Sequence, residues 1–124
     1  DLAYVERGGA LVTPRVLVAL RARRRQNHAK IAELEIESRL RTRLEVLAVF
    51  LDEWREENGA PTVVVREAAF ALLYFHAGFD RIPDSIPEIG LLDDALIVQT
   101  VLERHAAALR AHWLRHGRAW LAEL

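Results

Sequence analysis

The stretch AAFALLYFHAGFDRIPDSIPEIGLLDDA, residues 68–95, decides the fold. Arg66 to Tyr74 read strongly as helix, apolar on most sides, which predicts a helix at the centre of the domain. Gly78 is its expected stop. Pro83, Pro87 and Gly90 then exclude a long helix across the next dozen or so residues. Ile82, Ile86 and Ile89 are spaced to fold this turn back onto the core. Helical periodicity resumes at Leu91 or Leu92 and runs to about His116. Its expected buried face carries Leu92, Leu96, Val98, Val101, Leu102, Leu109, Trp113 and, past Gly117, Trp120. The reading is a helical hairpin, about 62–78 and 91–116, joined by an acidic, proline-containing turn. Thr62 is a suitable N-cap for the first helix. Val63, Val64 and Val65 are β-branched, so a short strand is the local alternative there.

Working outward, residues 1–12 read as an irregular arm with a flexible point at Gly8-Gly9. Thr13-Pro14 starts a helix, because Thr can cap free amides and Pro suits the first turn. No Gly or Pro follows until Gly59 and Pro61, so 13–58 is a long helical region. One unbroken helix of that length would reach ~65 Å, more than a domain this size can cover. It must therefore break, with Gln26-Asn27-His28 as the weakest point, or overhang onto a second copy. Ile36, Leu40, Leu44, Leu47, Leu51 and Trp54 define one apolar face and are the candidate interaction surface. Glu37, Arg41, Glu45, Asp52 and Arg55 define the opposite, solvated face. Residues 117–124 form a C-terminal extension. The whole is an all-α single domain, 1–124, of four or five helices.

Composition narrows the function classes. With 52% hydrophobic and 28% charged residues, the chain is globular rather than disordered. It has no cysteine, hence no disulfide framework and no thiolate metal site. A formal net charge of -1 gives no global attraction to nucleic acid. Asp1 to Arg7 shows no basic region followed by an apolar run, so no leader is expected, and a cytoplasmic location follows as an expectation. The longest nearly uncharged run, Ala68 to Phe79, is short of the ~20 residues a membrane-spanning helix needs.

The chemistry concentrates in the turn. Asp80, Asp84, Asp93 and Asp94 lie close together in sequence, with Glu88 among them and His76 one helical turn before. Clustered carboxylates suit a hard divalent cation such as Mg²⁺ or Ca²⁺, and a nearby histidine tilts the set towards a transition metal. The competing role is structural, since Asp is a favoured N-cap and is stabilised near helix N-termini. At these residues the chain resembles the YkvA-like family, a bacterial and archaeal domain of unknown function. Its pattern D-x-I-P-D-x-I-P-x-I-G-x-L-D-D-A is met at Asp80, Ile82, Pro83, Asp84, Ile86, Pro87, Gly90, Leu92, Asp93, Asp94 and Ala95. The resemblance spans about residues 68–104. It implies a paired-helix domain and, for many members, membrane association. This chain departs at Gly78-Phe79, where members carry Ser-Pro, and at His76, Gln99, Glu103, Arg104 and His105, which interrupt the apolar runs.

Two further clusters deserve weighing. Arg21, Arg23, Arg24 and Arg25, with Arg15 and Lys30, form a basic patch that lacks interleaved aromatics, which points to a solvated or partner-facing surface rather than nucleic acid. His112 and His116 have the i,i+4 spacing of a zinc-binding pair but no intervening Glu, which favours an amphipathic surface. No phosphate loop or nucleophile elbow is present. The expectation is therefore a non-catalytic interaction or scaffold module, a homo-oligomer or protein-partner binder. The alternatives are a divalent-cation site at Asp80, Asp84, Asp93 and Asp94, enzymatic or not, and weak peripheral association with membranes. No organic cofactor is expected.

Overall fold

A computed structural model describes residues 2–34, 38–55, 61–81, 87–121 and 124, and the backbone alone at 38, 78–81 and 87–92. Among the described residues there are seven helices and no strand: α1 (Leu2–Ala10), α2 (Pro14–Ala22), α3 (Arg24–Ala32), α4 (Ser38–Glu53), α5 (Val63–Arg81), α6 (Pro87–Arg104) and α7 (Ala106–Arg115). The chain is all-α.

α5 is the centre. Val65, Ala68, Ala69, Ala71, Leu72 and Phe75 are buried along it, and it packs against α1, α2, α4 and α6. Its start is capped as expected: the Val65 amide donates to Thr62 Oγ1 at 3.3 Å. The three valines form its first turn rather than a strand, because this cap and the buried Val65 outweigh their β propensity. Gly78 does not stop α5, which continues to Arg81. A helical glycine costs about 1 kcal/mol, too little to end a helix held by tertiary packing. The second arm of the hairpin likewise begins earlier than expected, at Pro87, where proline occupies a first-turn position.

The arm at 1–12 is not irregular. α1 lies on α5 and touches α6, with Val5 fully buried. Tyr4 meets Phe70 and Tyr74 edge-on, at ring separations of 5.6 and 6.0 Å. Gly8 and Gly9 are contact residues, not a hinge: a Cβ on Gly8 would overlap the Phe70 ring, and one on Gly9 would lie 2.6 Å from Glu67 Cγ. Glu67 is itself buried and held by His105 Nε2 at 2.8 Å and Arg104 Nε at 3.0 Å.

Among the described residues, the long region 13–58 holds three helices, not one or two. Thr13 caps α2 through its Oγ1, which accepts from the Val16 amide at 3.2 Å. The first break falls at Arg23, one turn before the weak formers Gln26-Asn27-His28. Asn27 explains the position: its Nδ2 donates to the Leu20 carbonyl at 3.0 Å, and its own amide bonds the Arg23 carbonyl at 2.9 Å. The second break separates α3 from α4, which then pack on one another. α4 ends at Glu53, ahead of Gly59, and the residues around that glycine lie outside the described set. Arg21 reaches across to this end, donating from Nε to the Leu51 carbonyl at 3.0 Å and from Nη2 to the Trp54 carbonyl at 2.8 Å. Carbonyls at a helix C-terminus need donors, and a cation there is favoured.

The expected single last helix bends at His105, whose ring turns inward to Glu67. Leu96 is 60% exposed, and Ile97 takes the buried position instead. α7 ends in a Schellman motif: Gly117 has φ +76°, its amide bonds the Leu114 carbonyl, and the Arg118 amide bonds the Trp113 carbonyl. The reversal sends 118–121 back over α7, with Trp120 edge-on to Trp113.

One ion pair gives α3–α4 packing a pH dependence. His28 Nε2 lies 2.7 Å from Asp52 Oδ2 and Nδ1 lies 3.2 Å from Glu45 Oε1. Ionised carboxylates only accept, so both ring nitrogens must donate and the ring is an imidazolium. Burial pulls its pKa down, but the hydrogen bonds and charges of Asp52 and Glu45 outweigh that and raise it above 6.5. Because the folded pKa exceeds the unfolded one, the stabilisation is whole below about 6.5 and is lost as pH rises through the folded value. Denaturant titrations from pH 5.5 to 8.5 should show roughly 1 kcal/mol of stability attributable to this pair. The difference between wild type and His28→Asn should shrink with rising pH; a constant difference would refute the clamp.

Candidate functional site

The four aspartates do not act alike. The backbone of Asp80 is in the last turn of α5. Its side chain and all of Asp84 lie outside the described residues. Asp93 and Asp94 are described. Neither caps a helix, since α6 begins at Pro87 and both sit in its second turn. Successive helical residues point about 100° apart, so the pair divides. Asp93 faces solvent, while Asp94 is 4% exposed.

Asp94 is chemically conspicuous. Its Oδ1 is buried and has no hydrogen-bond partner among the described residues. Burial raises its pKa from 3.8 to about 7, with the charge of Asp93 adding to the effect. A buried carboxylate oxygen without a donor carries an unmet desolvation cost of about 1–3 kcal/mol, more when charged. Tyr74 stands close enough to feel it: burial first, then Asp93, Tyr4 and Asp94, push the phenol above its ordinary value of 10.

The candidate interaction stripe is spent inside the chain. Leu40, Leu44, Leu47 and Leu51 are buried in the core, and Trp54 packs partly against it under Arg21, 5.4 Å from its ring centre. Ile36 lies outside the described residues. The stripe needed a partner, and α5 with its neighbours supplies it: α4 packs on α3, α5, α6 and α7. Of the basic cluster, Arg21 is committed to α4, whereas Arg23, Arg24 and Arg25 are exposed. Arg23 and Lys30 line an open cleft of about 350 Å³ between α2–α3 and α5, beside His76.

A second polar centre was only half visible in the sequence. Glu53 at the end of α4 meets His112 on α7, Oε1 to Nε2 at 3.0 Å, across 59 residues of chain. Arg118 grips the same carboxylate with both terminal nitrogens, Nη1 to Oε1 at 2.8 Å and Nη2 to Oε2. Its guanidinium also lies over the Trp113 ring, 4.5 Å from the centroid. The Arg118 hydrogen bonds hold Glu53 well below the usual range, at about 2, against burial and with help from His112. Burial pulls His112 below 6.5, opposed by its hydrogen bond to Glu53. His116 stacks on His112 at a ring separation of 4.2 Å. The i,i+4 histidine spacing was the available signal; the carboxylate came from a distant helix.

Residues 65–99 match the model of a family described as a protein of unknown function (DUF1232). The match takes in α5 from Val65 and α6 as far as Gln99, with residues 82–86 between them. No curated protein and no solved structure matches the chain. Among the described residues, no helix is long and apolar enough to cross a membrane.

Proposed function

We propose that the protein is a non-catalytic helical binding module, of the YkvA-like kind, that takes up a hard divalent cation at the turn end of its α5–α6 hairpin. Asp94 is the inner carboxylate, and Asp80 at the end of α5 and Asp84 beyond it are the remaining acidic donors. The observation that carries this reading is the buried Oδ1 of Asp94, which has no hydrogen-bond partner among the described residues. Mg²⁺ and Ca²⁺ favour carboxylate oxygens, and a bound cation offsets the cost of keeping that group charged. The family match supports a role centred on the hairpin, since it covers both arms and the turn.

Ligand binding to the folded state alone raises the melting temperature by linkage. At pH 8, millimolar Mg²⁺, Ca²⁺ or Mn²⁺ should raise it by several degrees in wild type and by none in Asp94→Asn or Asp84→Asn. A flat response in wild type would end the cation reading and leave Asp94 as a proton site. Self-association would have to use a face other than the α4 stripe, which is already covered, and light scattering on the full chain reads that directly.

A further inference from the structure

The centre where α4, α7 and the C-terminal reversal meet carries an inference independent of Asp94. We propose that Glu53, His112 and His116 form a second metal site, selective for a borderline transition metal of the Zn²⁺ class. One nitrogen of each histidine and one carboxylate oxygen of Glu53 lie within 4.8 Å of one another. Ligands on a tetrahedral Zn²⁺, bonded at about 2.0–2.1 Å, stand about 3.3 Å apart. The 3.0 Å between His112 Nε2 and Glu53 Oε1 is close to that spacing, so the ion takes the place of the proton they share.

Two features prepare the donors. His116 Nδ1 lies 2.9 Å from the His112 carbonyl, which can only accept, so Nδ1 carries the proton and Nε2 carries the lone pair. A ring nitrogen donating to a backbone carbonyl is the usual support of a metal-ligating histidine. Arg118 supplies the corresponding support on the other side. It donates to both oxygens of Glu53 and orients the carboxylate, so Oε1 ligates the ion through the lone pair now turned to His112 while keeping its contact with Nη1. Imidazole nitrogens with one carboxylate suit zinc over Mg²⁺ or Ca²⁺. His112 is buried and His116 exposed, so the ion enters from the His116 side and solvent holds the fourth position.

Calorimetric titration of the full chain with ZnSO₄ at pH 7.5 tests this. Wild type should bind one equivalent, and Co²⁺ in its place should show the visible absorption of a tetrahedral site. His116→Ala removes an exposed ligand and leaves the core alone, and Glu53→Gln keeps the shape of the contact to His112. Each should weaken zinc binding at least 10-fold, the scale on which even supporting partners act. Asp94→Asn should not change it, which separates this site from the hairpin turn. Absence of stoichiometric binding, or equal affinity in wild type and both variants, overturns the site.

Discussion

Replacing Asp94 by Asn should make the protein more stable at pH 8 without bound cation, although it removes a charged residue from a folded chain. The folded pKa of about 7 exceeds the ordinary 3.8, so between those values the folded state holds a proton that the unfolded state has released. Stability therefore falls as pH rises through this window, and the loss is complete above about 7. Three pKa units correspond to roughly 4 kcal/mol, an upper figure because the native state relaxes around a buried charge. The uncharged amide avoids that penalty, although its NH₂ still needs a partner. Urea titrations at pH 4.5 and pH 8 give the result. The wild type should lose several kcal/mol between them after allowance for His28, and Asp94→Asn should lose much less. Parallel curves would mean that Asp94 has a donor in solution. A residue that costs stability at neutral pH and caps nothing is where a functional constraint is expected.

The substitutions Gly8→Ala and Gly9→Ala test the opposite kind of site, with a sign that depends on the fold. In a flexible arm, alanine would stabilise by about 0.4–1 kcal/mol by restricting the unfolded chain. Against α5 it must displace Phe70 or Glu67. Phe70 is partly exposed and can swing away, so Gly8→Ala should cost about 1 kcal/mol, near the low end for overpacking. Glu67 cannot move without leaving Arg104 and His105, so Gly9→Ala should cost closer to 3 kcal/mol. Thermal melts of both variants decide it, and stabilisation by either would detach α1 from the core in solution.

These two sites show how far the sequence could be read. The all-helical character, the central apolar helix and the caps at Thr13 and Thr62 were legible, because capping and apolar periodicity act within one or two turns of helix. The same signals misplace boundaries where tertiary contacts compensate a local cost. α5 runs through Gly78 under packing, and the break expected near Asn27 moves to Arg23 because the Asn27 side chain serves the Leu20 carbonyl. Gly8-Gly9 is ambiguous in any sequence, since glycine marks both freedom and close approach, and only the neighbour at that point distinguishes them.

The sequence by itself determined an all-helical chain with an apolar central helix, and it named Asp94 among four carboxylates. Nearest neighbours along the chain are enough for that. Tertiary structure alone decided that Asp93 faces water while Asp94 is buried with no donor to Oδ1 among the described residues, that the α4 stripe is consumed by the core, and that Glu53 joins His112, His116 and Arg118. Burial and hydrogen-bond partners are set by elements tens of residues apart, 59 between Glu53 and His112, and local propensity carries no information at that range.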